Sequence, residues 1–370
     1  MAERVVVGMS GGVDSSVAAA MLVEEGYDVV GITLRVWPWR EPDESVKRFG
    51  SCCSPETVDD ARQVARRWGI PHYLLNSERE FDETVIANFT REYAAGRTPV
   101  PCVVCNQKVK FGSLLQRARA WDAVGVATGH YARITHDQCS GRYLLWRGRD
   151  LRKDQSYFLW PLTQDQLAAA RFPVGELSKA AVRNKARTLG LVTADKPESQ
   201  EICFVPDGDY RSFVGARIPE AFRPGPIVDS EGTKLGEHRG IASYTVGQRR
   251  GLGLAQGRAL YVKALDPERN AVVVGGAGEV EVDTLWAERV NLISEERLDE
   301  PRSVTVKIRH GHTPATATIR EIARDPEERL VEVRFEEPQR GVAPGQSAVF
   351  YQGDLVVGGG VITRRRREDT

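Results

Sequence analysis

The stretch Gly8-Met9-Ser10-Gly11-Gly12-Val13-Asp14-Ser15-Ser16 decides how the N-terminal half of this chain is read. It follows a β-branched run over 4–8 and precedes a helical pattern over 15–25 that closes on Gly26. Glycines, having no Cβ, let successive backbone N–H groups close around an anion, and the helix start adds a favourable dipole. Ser15 and Ser16 supply hydroxyls at that start. A plain glycine-rich turn would not explain Ser-Gly-Gly-x-Asp-Ser at a strand–helix junction. There is no Gly-Lys-Ser/Thr, so the loop is not of the Walker type that cradles β- and γ-phosphates. Nor is there Gly-x-Gly-x-x-Gly, which disfavours a dinucleotide site.

Outward from this loop, strand-like runs at 28–36, 72–75 and 123–128 alternate with helical patterns at 56–68, 80–95 and 108–120. Alternation of this kind predicts a parallel sheet covered on both faces, with Cys102-x-x-Cys105 in the loop before the last of these helices. Past residue 210 the texture changes. Arg223-Pro224-Gly225-Pro226 marks turns, and short strands follow at 261–264, 271–274, 304–308, 316–322, 330–335 and 348–351. The reading is an α/β domain over 1–210, a small connecting domain over 211–278, and a C-terminal β-barrel over 279–370.

Composition sets the outer limits. The 370 residues are 41% hydrophobic and 28% charged, a globular balance rather than a disordered one. Lys+Arg and Asp+Glu both number 51, so any site for an anionic partner must be local. The longest apolar run, 17–23, is far short of the ~20 residues that span a bilayer. Met-Ala-Glu-Arg leads straight into Val5-Val6-Val7 with no signal core, so a cytoplasmic location without a membrane is expected. Six cysteines, at 52, 53, 102, 105, 139 and 203, do not make a secreted disulfide scaffold of this length. In a reducing compartment the 102/105 pair implies metal, redox or sulfur chemistry, or simple burial.

The Ser-Gly-Gly-x-Asp-Ser pattern resembles the PP-loop of enzymes that cleave ATP between its α- and β-phosphates. Further motifs narrow the likeness: Thr98-Pro99-Val100-Pro101-Cys102-Val103-Val104-Cys105-Asn106, Ala127-Thr128-Gly129-His130-Tyr131-Ala132-Arg133, Lys153-Asp154-Gln155-Ser156-Tyr157-Phe158-Leu159 and Ser199-Gln200-Glu201-Ile202-Cys203-Phe204. With Tyr244-Thr245-Val246-Gly247-Gln248-Arg249-Arg250-Gly251-Leu252-Gly253 and Ala343-Pro344-Gly345-Gln346-Ser347-Ala348-Val349, the series resembles the tRNA-specific 2-thiouridylases over nearly the whole chain. That likeness implies an adenine nucleotide α-hydrolase-like N-terminal domain. It also implies ATP-dependent 2-thiolation of wobble uridine in tRNA.

The chemistry is coherent. The C2 carbonyl of uridine is a poor electrophile without a leaving group; transfer of AMP to its oxygen creates one. A thiolate is nucleophilic near neutral pH and can carry a second sulfur as persulfide. The resemblance assigns the persulfide to Cys203 and the partner nucleophile to Cys105. It assigns ATP to Gly8, Met9, Ser10, Gly11, Gly12, Val13, Asp14, Ser15, Leu34 and Gly129, with Asp14 meeting Mg2+. It assigns tRNA to His130, Lys153, Asp154, Gln155, Arg309, His310 and Gln346. A cysteine desulfurase or sulfur-relay protein is the implied sulfur donor, and a monomer is expected. The chain departs from one form of the family that has Asp where Cys102 stands, and from its usual Tyr where His310 stands. Cys102, Cys105 and Cys203 therefore also allow a [4Fe–4S] cluster with one open iron, as an alternative to the persulfide route. Cys52, Cys53 and Cys139 read as structural or incidental.

Basic clusters at Arg147, Arg149, Arg152 and Lys153, at Arg183, Lys185 and Arg187, at Arg249 and Arg250, and at Lys307, Arg309 and His310 are candidates for phosphate contact. Two other functions compete: a different ATP-pyrophosphatase, such as a tRNA-lysidine synthetase or an amidotransferase-coupled synthetase, and a non-catalytic nucleotide-regulated RNA binder. Two distant reactive cysteines argue against the first. The intact loop with Asp14, together with the cysteines, argues against the second.

Overall fold

Val5, Val6 and Val7 are wholly buried, as a strand covered on both faces requires. The computed structural model describes residues 2–38, 54–198, 202–205, 208–254, 257–323 and 329–364. They fall into two units. The first holds the described residues within 1–86, 102–208 and 354–356; the second holds those within 87–101, 209–353 and 357–370.

The strands of the first unit are β1 (Arg4–Gly8), β2 (Asp28–Arg35), β3 (His72–Asn76), β4 (Ala123–Ala127), β5 (Ala132–Asp137), β6 (Arg142–Arg147) and β7 (Ala170–Arg171). Five of them form a parallel sheet in the order β3-β2-β1-β4-β7. Helix α1 (Val13–Glu24) carries Val17, Ala18, Ala19 and Ala20, all fully buried. A helix apolar on every side must be enclosed on every side. It packs between the sheet and the helix Lys179–Thr188 in one continuous core. Helix α2 (Pro55–Arg67) starts where the chemistry says it should: Ser54 Oγ accepts from Thr57 N–H, and Pro55 opens the first turn.

Three sequence expectations change here. The pattern over 80–95 is not one helix: α3 (Glu78–Phe81) passes through a π-helical turn, Asp82–Ile86, into a helix over Ala87–Ala94. The CxxC is helical rather than looped. Pro101 occupies a first helical position, where its missing N–H costs nothing, and a π-helical segment begins at Cys105. The hairpin β5–β6 was not anticipated; its turn is held by the Asp137 carboxylate, which accepts from the N–H groups of Cys139 and Ser140. Cys139 is exposed in that turn, and Cys52 and Cys53 lie outside the described residues.

In the second unit, β8 (Gly225–Val228), β9 (Lys234–His238), β10 (Tyr261–Asp266) and β11 (Ala271–Gly275) form one sheet in the order β10-β11-β8-β9. Then come β12 (Glu281–Leu292), β13 (Arg302–Lys307), β14 (Ala315–Ala323), β15 (Leu330–Arg340), β16 (Ser347–Gln352) and β17 (Leu355–Thr363). They run β12-β15-β14-β13-β16-β17, and β17 pairs back onto β12, closing a six-stranded barrel. Its interior is filled by Val304, Val306, Ile319, Val331, Val333, Phe350 and Val357. Residues 354–356 belong to the first unit, where Leu355 pairs with Trp146 of β6. Among the described residues no helix is long and apolar enough to cross a membrane.

Candidate active site

In a doubly wound sheet, ligands bind beyond the carboxyl ends of the strands where the connections reverse direction. Here β2 flanks β1 on one side and β4 on the other, so the reversal lies between β1 and β4. The segment Met9–Gly12 follows β1, and Thr128–Tyr131 follows β4. The two loops singled out by sequence therefore meet at the one place the topology favours.

The loop is held from below and behind. Met9 N–H donates to Ile32 O at 2.7 Å, and Thr33 Oγ1 donates to Met9 O at 2.7 Å. Ser10 N–H donates to Ser15 Oγ, and both Ser15 and Ser16 hydroxyls donate to Gly12 O. Gly11 has φ of +67°, and a Cβ there would lie 2.0 Å from Thr57 O. Gly12 caps α1 without a side-chain acceptor, so the first-turn N–H groups stay available to an anion. Gly129 is glycine because α1 starts against it: a Cβ would lie 2.6 Å from Asp14 C and Ser15 N. Leu34, the last of the expected nucleotide residues, is partly exposed near the end of β2.

Asp14 was expected to meet Mg2+. In the structure both its oxygens accept from Lys179 Nζ at 2.8 Å, and Oδ1 also accepts from Tyr131 OH at 2.7 Å. Magnesium is commonly held by one or two carboxylates plus phosphate. To serve as one of these, Asp14 would have to share its carboxylate with Lys179 or give the ammonium up. Burial, then the Asp14 charge, pushes the Tyr131 hydroxyl far above its usual range, so it remains a donor. Lys179 also reaches Glu198 at 3.1 Å, and Lys153 pairs with the same carboxylate at 2.6 Å. Lys153 and then Lys179 hold the Glu198 carboxyl below its usual range. Sequence reasoning passed over Lys179 and gave Tyr131 no role, although Ser178 before the helix was a readable cap.

Two residues expected on RNA also make hydrogen bonds in and around this loop. Gln155 Oε1 accepts from Tyr131 N–H, while Gln155 N–H donates to Tyr131 O. The Asp154 carboxylate is buried and accepts from Gly148 N–H, Ser156 N–H and the Ser156 hydroxyl. His130 is buried as well, with Nδ1 2.6 Å from Thr128 Oγ1 and its ring near Phe111 and Phe172. Burial, then Lys110, lowers its pKa well below the usual 6.5. Above that value both folded and unfolded forms are neutral. Below it the unfolded chain takes a proton that the folded site refuses, so stability falls as pH drops, by at most ~1.4 kcal/mol per pH unit. Urea denaturation at about pH 7 and about pH 5 should show this loss, and His130→Gln should shrink it. An equal loss in the variant would contradict the assignment.

Cys105 and Cys203 are partly exposed and Cys102 is exposed. Phe204, next to Cys203, packs edge-on against Phe81 of α3 at 5.6 Å. The same α3 packs against the π-helical segment that starts at Cys105. Two segments roughly a hundred residues apart thus dock on one short helix. Among the described residues no three His, Cys, Asp or Glu side chains are grouped so as to hold a metal ion.

The basic clusters are mostly satisfied within the fold. Arg149 pairs with Glu176, Arg152 with Asp150, Lys185 with Glu24 and Arg187 with Asp195, while Arg183 donates to the carbonyls of Ala194 and Lys196. Arg249 and Arg250 are exposed, as are Arg309 and His310 on the second unit. There too, Gln346 Nε2 donates to Thr98 O at 3.0 Å and Thr98 N–H to Pro344 O at 2.7 Å. Residues 87–101 are thereby tied to the Ala343–Gln346 turn of their own unit.

Residues 3–207 match the profile of the tRNA methyl transferase HUP domain, 211–276 its PRC-barrel domain, and 282–362 the aminomethyltransferase β-barrel domain. The chain is 52% identical over 365 residues to a tRNA-specific 2-thiouridylase MnmA of Heliobacterium modesticaldum, covering 98% of this chain and 93% of that one. It is 48% identical to the protein of that name from Natranaerobius thermophilus, over 98% of both chains. For the Acetivibrio thermocellus protein the identity is 50%, over 97% of this chain and 99% of the other. With a phosphate loop at the switch point, two cysteine segments on one helix and near-complete coverage at such identity, this chain belongs to the tRNA-specific 2-thiouridylase family.

Proposed function

We propose that this protein is an ATP-dependent tRNA-uridine 2-sulfurtransferase acting at the wobble position. The near-full-length identity to 2-thiouridylases carries this reading. ATP binds over Gly8–Ser15, Leu34 and Gly129, with its phosphates on the first-turn N–H groups of α1. The uridine C2 oxygen attacks the α-phosphorus and pyrophosphate departs with the bridging electron pair. A persulfide on Cys203, loaded by a desulfurase or sulfur-relay protein, then attacks C2, and AMP leaves. Cys105 thiolate attacks the Cys203 sulfur, which leaves the outer sulfur on uridine and a Cys105–Cys203 disulfide for an external thiol to reduce.

Residues 1–210 perform the chemistry in this scheme, and 279–370 contribute Arg309, His310 and Gln346 to the tRNA. Lys153, Arg249 and Arg250 add phosphate contacts. Support for the adenylation step comes from the loop itself, which has glycines and a helix start but no Walker lysine. ATP consumed with substrate tRNA should therefore appear as AMP and pyrophosphate, read by chromatography of labelled nucleotide. ADP as the stoichiometric product would overturn the reading.

A further inference from the structure

The phosphate loop contains no lysine, yet two lysines from far along the chain reach it. Lys196 is committed: its Nζ donates to Gly11 O at 3.0 Å and pairs with Asp60, which fixes the loop backbone. Lys179 is different. Its side chain is 11% exposed, and its ammonium faces two carboxylates, Asp14 and Glu198, one of them within the loop motif. Glu198 has a second cation in Lys153, so it keeps a counter-charge if Lys179 moves. In charge terms the cluster of Asp14, Glu198, Lys153 and Lys179 is balanced before any phosphate arrives. An anionic triphosphate entering such a site needs a cation released to it, or the two carboxylates will repel it.

We infer that Lys179 is the residue that receives the leaving pyrophosphate. With no nucleotide, Asp14 and Glu198 hold it in place. On nucleotide binding Lys179 turns its N–H groups to the β- and γ-phosphate oxygens, and Asp14 would then be free to help hold the magnesium that accompanies ATP. As the bond from uridine oxygen to the α-phosphorus forms and the α–β bridge breaks, negative charge collects on the departing pyrophosphate. The ammonium meets that charge by hydrogen bonding and keeps its proton. Tyr131 OH stays on Asp14 throughout and keeps the carboxylate oriented. This role rests on the adenylation reading above and names the group that adenylation would otherwise lack.

The test measures pyrophosphate and adenosine binding separately, with AMP formation as a third readout. Lys179→Met should weaken pyrophosphate binding at least ~10-fold and slow AMP formation by ~10²-fold, the scale for losing one charge-stabilising donor. Adenosine affinity should stay within about twofold, since the base and ribose do not meet Lys179. Pyrophosphate affinity unchanged in Lys179→Met overturns the inference. If circular dichroism shows that this variant does not fold, Lys179→Gln, which keeps a polar head in place of the apolar one, decides instead. Pyrophosphate binding weakened at least ~10-fold with adenosine affinity kept supports the inference, and unchanged pyrophosphate binding overturns it. A wild-type protein that makes no AMP with tRNA overturns the adenylation reading and this role together. A wild type that makes AMP, beside a Lys179→Met protein that binds pyrophosphate normally, overturns this role alone.

Discussion

Cys203→Ser protein is expected to form AMP from ATP in the presence of tRNA and yet transfer no sulfur, a loss on the order of 10³-fold or more in thiolation. The two steps separate because adenylation uses backbone N–H groups and cations around α1, whereas only the second step needs a thiol. Cys105→Ser should lose thiolation to the same extent and should form no Cys105–Cys203 disulfide on a non-reducing gel. Both side chains are partly exposed, so serine should leave thermal unfolding nearly unchanged. Cys102→Ala separates the routes. Persulfide transfer should survive it measurably, because carrier and partner remain; a three-cysteine cluster would not. Full thiolation by Cys105→Ser would sink the assignment.

Gly11→Ala should be the most damaging single change in the nucleotide loop. Its φ of +67° is strained for alanine, and the added carbon would sit 2.0 Å from Thr57 O and 2.7 Å from Thr57 C. Those atoms are backbone at the start of α2, which Ser54 caps, so they cannot swing aside as a side chain would. The expected cost is ~2–4 kcal/mol of stability, with ATP affinity down by ~30-fold or more as the loop moves off Lys196. Gly26→Ala is the matched control. Its φ is +87° but nothing lies within 4 Å of the new carbon, so only the ~1–2 kcal/mol of backbone strain applies and ATP binding should hold. Equal losses of ATP affinity in the two variants, by calorimetry, would show that the Thr57 contact is immaterial.

The phosphate loop was legible because it works through its backbone: close approach and positive φ demand glycine, and glycine shows in the letters. The parallel sheet was legible for a similar reason, since strands buried on both faces must be apolar throughout. The partners of Asp14 were not legible. Lys179 lies 165 positions away and reads as one more surface lysine until the fold delivers it. The carboxylate partners of the basic clusters were legible only in part: Asp150 stands beside Arg152 in the sequence, whereas Glu24 reaches Lys185 only through the fold. Asp154 and Gln155 belong to a motif that sequence reasoning gave to RNA. In the fold Gln155 bonds the Tyr131 backbone, and Asp154 accepts from Gly148 N–H and from the N–H and hydroxyl of Ser156. The break in the 80–95 helix went unread because a π-turn shifts the register of the apolar face by only one residue, too small a change to show in so short a run.

Closure of the barrel has a bearing on how the chain is made. β12 emerges from the ribosome long before β17, the partner that seals it, and residues 354–356 complete the first unit only then. Neither unit can finish folding by local contacts alone during synthesis, and each must hold its unpaired edges until the last strand arrives. Translation halted shortly before Leu355 would therefore release a chain with two open strand edges and an unfinished catalytic unit, a natural client for chaperones rather than a partly working enzyme.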